Sequence, residues 1–189
     1  MFCLKKILCV ILVLFLSAVA APKKGKMVDP RDGKVYGTMD AVGLTWMTDY
    51  FPDERFPFGK AKTACPDGWR LPTLNEGLSL LIAFGVKFEL NDKSLDFAGP
   101  VGREVNMFMP LGVGTFATSD GYLFMPYISG DGAKEYTGSV MSVAEIDRKT
   151  KLLVRNFGPG SDSGKKVEEK DIVPDPDSFE VSVRCVKKK

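Results

Sequence analysis

Cys65 and Cys185 are the residues of this sequence whose chemistry matters most. They are the two cysteines left once an amino-terminal export leader is set aside, because Cys3 and Cys9 lie inside it. An exported chain meets an oxidising compartment, so the two read as one disulfide, with a free or metal-binding pair as the competing reading. A short helix is predicted over residues 59–64, ended by Pro66 and Gly68, so Cys65 stands at the negative end of a helix dipole. A thiolate is disfavoured there, which speaks for a bridge over a reactive nucleophile. In the chain-entropy account a loop of this length contributes about 4–5 kcal/mol.

Other chemistry is narrowed by what the sequence lacks. It has no histidine, which removes Ser-His-Asp and Cys-His catalysis and the common histidine metal sites. Gly112-Val113-Gly114 lacks the third glycine and the preceding strand of a dinucleotide fingerprint. Asp131 and Asp175-Pro176-Asp177 offer oxygens to calcium, but such a site needs six or more, and aspartates in turns usually bond their own backbone. No cofactor and no metal are therefore expected. Carboxylate chemistry stays open, because its test is the distance between two side chains. The aromatic loop over residues 48–58 offers Tyr50, Phe51 and Phe56 as surfaces for stacking on a ligand ring, with core packing as the competing role for each.

The leader is read from Lys5 and Lys6, an apolar run over 7–16, and the small residues Ser17-Ala18-Val19-Ala20. A signal peptide over 1–20, cut after Ala20, is predicted; the apolar run is too short for a permanent span, which needs about 20 residues. The mature chain is then secreted or held in the cell envelope, with no membrane contact of its own. Its loss takes two of the 26 basic residues and none of the 24 acidic ones, leaving zero net charge. That argues against nucleic acid as a partner. A chain of 189 residues fits a linker over 21–28 and a single domain over 29–187.

The elements that must position these residues follow from periodicity. Residues 34–47 read as a hairpin broken near Asp40 to Gly43, with Trp46 as a core residue. Thr73-Leu74-Asn75-Glu76 is a capping box, and Leu74, Leu78, Leu81 and Ile82 form one helical face ended by Gly85. Residues 86–90 read as a strand and 91–114 as irregular, with a short strand at Met107-Phe108-Met109. Two further hairpins are predicted, one turning at Ser119-Asp120-Gly121 and one joining 140–146 to 151–154. A polar loop over 157–177 precedes a closing strand in which Phe179, Val181, Val183 and Cys185 alternate with Glu180, Ser182 and Arg184. The order describes an α+β fold on an antiparallel sheet.

Four segments resemble the Fibrobacter succinogenes major paralogous domain family. They are 29–36 (Asp-Pro-Arg-Asp-Gly-Lys-Val-Tyr), Thr45-Trp46-Met47, 64–73 (Ala-Cys-Pro-Asp-Gly-Trp-Arg-Leu-Pro-Thr) and Ser182-Val183-Arg184-Cys185-Val186. The third also resembles a pattern of C-type-lectin-like domains and sulfatase-modifying enzymes. The resemblance implies a C-type-lectin-like fold of two helices, an antiparallel sheet and long loops, with paired termini and a helix cysteine bonded to the last strand. The chain departs from the family at Thr48-Asp49-Tyr50-Phe51, and at Gly77, where a Trp usually follows the helix glutamate. The Glu-Pro-Asn, Gln-Pro-Asp and Trp-Asn-Asp signatures of lectin calcium sites are missing, as is the second carboxyl-terminal cysteine of the sulfatase-modifying enzymes. The expectation is an exported non-catalytic domain of the cell envelope or exterior that binds a glycan or an envelope protein through its loops. An enzyme using carboxylates or a thiol pair, or a structural envelope component, is the alternative.

Overall fold

The computed structural model describes residues 22–49, 55–91, 94–100, 116–127, 135–157 and 167–189. The leader, Tyr50 and Phe51, the 107–109 strand, Gly112 to Gly114, Asp131 and much of the 157–177 loop lie outside the described residues.

A lysine-rich strand, β1 (Lys23–Val28), opens the fold and pairs antiparallel with β2 (Val35–Ala41). Of the residues expected as a linker over 21–28, Lys23–Val28 are thus a sheet edge, where lysines suit a strand exposed to water. The hairpin from β2 to β3 (Leu44–Met47) turns through Val42 and Gly43, both at positive φ (45° and 79°). That handedness matches the strand twist but strains the β-branched valine. The last strand, β11 (Val186–Lys188), pairs with β3, giving the order β1-β2-β3-β11. Both terminal strands therefore share a sheet but occupy opposite edges, where paired termini were expected.

A two-stranded ribbon joins β4 (Phe56–Pro57) to β10 (Glu180–Val181), and a one-turn helix α1 (Phe58–Ala61) follows β4 directly. The predicted closing strand is thus cut short: only Glu180–Val181 pairs, as β10, and the chain pairs again just beyond Cys185, as β11. A five-stranded sheet completes the architecture, in the order β5-β6-β9-β8-β7. Its strands are β5 (Lys87–Leu90), β6 (Leu95–Pro100), β7 (Phe116–Ala117), β8 (Tyr122–Tyr127) and β9 (Glu135–Ser142). The predicted turn at residues 119–121 is present between β7 and β8, whereas β6 arises from residues expected to be irregular.

The second helix, α2 (Leu74–Ala83), carries both halves of its capping box at Thr73 and Glu76. Gly85, at φ 82°, ends it with the Val86 amide on the Leu81 carbonyl and the Gly85 amide on that of Ile82, a Schellman closure. The helix lies between the two larger sheets. Leu80 meets Met39, Leu44, Trp46 and Val186 of the first sheet; Leu81 meets Phe97, Phe116, Phe124 and Val140 of the second. Ile82, predicted on the apolar face, is 60% exposed, and Gly77 is buried in its stead.

The predicted hairpin over 140–154 is instead β9 running straight into a third helix, α3 (Val143–Phe157). Ser142 caps it, its Oγ accepting the Glu145 amide at 3.1 Å, and Asp147 pairs with Lys151 one turn on at 2.9 Å. Among the described residues the chain is thus an α+β fold with three antiparallel sheets and three α-helices, one more helix than expected. None of these helices is long and apolar enough to cross a membrane.

Gly77 has a specific reason. A Cβ there would come within 2.7 Å of the Phe124 ring, which stacks on Phe116 at a centroid distance of 4.6 Å. The aromatic volume at this helix–sheet contact comes from the sheet, so the helix must supply none. Gly77→Ala should lower the melting temperature, although alanine favours a helix over glycine by about 1 kcal/mol. The added variant Phe124→Leu should return part of the loss in the same thermal melt.

Candidate functional site

The residues that stand out in the sequence build a frame. Cys65 and Cys185 are disulfide-bonded with Cα atoms 5.8 Å apart, closing a separation of 120 residues. Cys65 follows α1 through two turn hydrogen bonds, Thr63 to Lys60 (3.1 Å) and Ala64 to Ala61 (3.2 Å), as its position after a helix end implied. Arg70 and Val186 then exchange backbone hydrogen bonds at 2.9 and 2.7 Å, fixing the approach to α2 onto the last strand.

The Arg-Leu-Pro-Thr run is fully committed to that frame. The Arg70 guanidinium grips the Glu76 carboxylate at 2.8 and 2.6 Å, and Leu71 is buried. The Pro72 carbonyl accepts the Ser119 amide at 2.8 Å, and Asp120 receives the Leu74 amide at 3.0 Å. The β7–β8 turn therefore caps α2 from outside its own segment. Arg184, expected on a polar face, is buried with Nη1 donating to the carbonyls of Met47 and Thr48, each at 2.8 Å. The open carbonyls at the end of β3 draw it inward.

The carboxylates are similarly occupied. Arg31 holds the buried Asp29 at 2.7 Å and lowers its pKa against the cost of burial. The Arg70 pair, aided by the Thr73 amide, holds Glu76 below the ordinary glutamate value. Burial raises the Asp147 carboxyl, but Lys151, the Asp175 amide (2.7 Å) and Ser178 (3.2 Å) outweigh it and leave its pKa lowered. Ser139, Ser94 and Asn91 together lower Asp96. Hydrogen bonding to Thr45, joined by Lys189, lowers Asp40. Among the described residues no group of three or more His, Cys, Asp and Glu side chains converges to hold a metal.

Of the loop aromatics, Phe56 sits in β4 opposite Val181, half-buried against the disulfide-bearing core. Tyr50 and Phe51 lie outside the described residues.

A cleft of about 550 Å³ opens elsewhere, where α2 stops short of covering the five-stranded sheet. Leu90, Leu95 and Val140 form one cross-strand row, and Tyr122 opposite Ser142 forms the next row on the same sheet face. Leu74 at the start of α2 and Glu145 and Arg148 at the start of α3 close the sides, with Asn91 and Ser94 at the sheet end. The polar groups are held in place: Arg148 pairs with Glu145 at 2.9 Å, Ser142 caps α3, and Asp96 bonds both Asn91 and Ser94. A flat apolar floor with fixed polar groups around it suits a small amphipathic ligand.

Two other depressions fit less well. One of about 720 Å³ lies over β5, β6 and β9, but its apolar surface is already used internally, the Phe97 ring filling the space above Gly138. The other, about 350 Å³, is smaller and lies beside Trp69, Arg70 and Lys187, where Lys187 already rests over the indole face at 5.9 Å. Sequence reasoning missed the α3 wall of this cleft because it placed a turn at 147–150, and missed Leu95 on its floor because 91–114 read as irregular. The available signals were Ser142 with Glu145 three residues later, and Asp147 with Lys151 at helical spacing.

Compared with known proteins, the chain matches no family model, no curated protein and no solved structure.

Reducing the disulfide should cost about 4–5 kcal/mol in urea unfolding, the entropy of a loop this long. A change under about 1 kcal/mol would show that the backbone pairing alone closes the ends. The lowered carboxylates set the acid limb. Each binds its proton more weakly folded than unfolded, so its stabilisation is complete above the unfolded pKa of about 4 and lost as pH falls through the folded value. Melting temperature should therefore hold from pH 7 to 5 and drop below 4. Asp147→Asn should lower it at pH 7 and shrink the drop between pH 7 and 3.

Proposed function

We propose that the chain is an exported, non-catalytic domain of the cell envelope or exterior that binds a glycan in the cleft beside Tyr122. In this reading it is a C-type-lectin-like member of the Fibrobacter succinogenes major paralogous domain family. What carries the binding reading is the cleft lining: Tyr122 and Leu95 on the floor, with Asn91, Ser142, Glu145 and Arg148 held by hydrogen bonds around them. Sugar rings present an apolar C–H face and a rim of hydroxyls, and this lining offers a partner to each. Groups already locked by neighbours lose little freedom on binding, which favours affinity.

The fold reading is supported by the helix between two sheets, the last strand lying beside the first hairpin, and the cysteine after α1 bonded to Cys185. The non-catalytic reading is supported by the carboxylates. A general acid needs a raised pKa, whereas Asp29, Asp40, Glu76, Asp96 and Asp147 are each lowered by neighbouring donors. Both cysteines are consumed in the bridge, so neither is a free nucleophile.

Retention of the mature protein on a panel of immobilised glycans tests the reading. At least one glycan should retain it, and Tyr122→Ala should weaken retention tenfold or more, on the scale of one lost stacking contact. Passage through every glycan, with stable co-purification of an envelope protein, would contradict it.

A further inference from the structure

Leu90 is 80% exposed at the end of β5, more than any other leucine among the described hydrophobics. Its cross-strand partner is Leu95, on the cleft floor, and Leu90 itself lines the cleft. An apolar side chain held in water at the lip of a pre-formed cleft contributes little to folding and has surface left to bury. Among the described residues the charges lining that cleft are Glu145 and Arg148, which pair at 2.9 Å. Glu145 is the single carboxylate among the described lining residues, whereas a hard cation needs six or more oxygens.

We infer that the cleft takes a short uncharged glycan, its sugar rings meeting Leu90 at one side and Tyr122 at the other through their C–H faces and the Glu145–Arg148 pair through their hydroxyls, without a metal ion. The inference rests on the glycan reading above and goes beyond it by fixing the charge of the sugar and the independence from calcium. An ion pair offers a hydroxyl both an acceptor and a donor without a net field, so it orients a neutral sugar and gains nothing from a uronate. A uronate would also have to compete with Glu145 for Arg148, setting two carboxylates against one guanidinium. Leu90 adds contact area at the open side, where Tyr122 in the sheet cannot reach.

Calorimetric titration of the mature protein decides it, with cellotetraose and chitotetraose as uncharged probes and tetragalacturonate as the charged one, each in EDTA and in calcium. The expected result is binding of an uncharged tetrasaccharide that is equal in EDTA and in calcium. Leu90→Ala should bind about tenfold more weakly, the scale of one leucine side chain left in water, with the melting temperature unmoved. Binding confined to the galacturonate, binding that needs calcium, or unchanged affinity in Leu90→Ala would overturn the inference while leaving glycan binding standing. Failure of all three sugars here and of every immobilised glycan would remove the glycan reading and this inference with it.

Discussion

The structure depends on one joint, where the segment leading into α2 is fastened to the last strand. The disulfide from Cys65 to Cys185 ties it covalently, and the reciprocal hydrogen bonds of Arg70 and Val186 fix its register. Because β11 also pairs with β3, the joint couples the first sheet to the start of the central helix. The β7–β8 turn then reaches the same place through Ser119 and Asp120, which adds the second sheet. Three layers therefore meet within a few residues of Pro72. Loss of the joint would free the carboxyl-terminal segment from the approach to α2, leaving the last strand held by its pairing with β3.

That joint also determines where the cleft lies. The helix starts at Leu74 because Thr73, Glu76 and Asp120 satisfy its first amides there. Beyond that point the sheet face continues uncovered through Leu95 and Tyr122, and α3 rises from Ser142 to wall the far side. The cleft is the space between two capped helix starts on a shared sheet. Its rim is made of side chains at helix and strand ends, which are more precisely held than side chains on long loops.

How much of this was legible in the sequence depends on the range of each interaction. The capping box, the Schellman glycine and the hairpins at 42–43 and 119–121 are set by neighbours within a few residues, and they were readable. The cysteine pairing was readable because two cysteines permit one intramolecular partner choice. Arg184 was misplaced because its partners, the carbonyls of Met47 and Thr48, come from the other end of the chain. Gly77 looked like an unexplained departure, and its reason is a pair of phenylalanines facing each other across two strands distant in sequence. The lysines of β1 read as a linker because an edge strand needs no apolar face. The polar run at 147–150 read as a turn, hiding α3 and with it Glu145 and Arg148.

The account's central claim is a division of labour: the motif residues around Cys65, Trp69 and Arg70 are frame, and the cleft beside Tyr122 meets the ligand. Amide chemical-shift mapping of residues 22–189 with an uncharged tetrasaccharide tests that division directly. The account predicts perturbations concentrated at Leu90, Asn91, Tyr122, Ser142, Glu145 and Arg148, with Trp69, Arg70 and Lys187 unmoved. Perturbations concentrated at Trp69, Arg70 and Lys187 would contradict it.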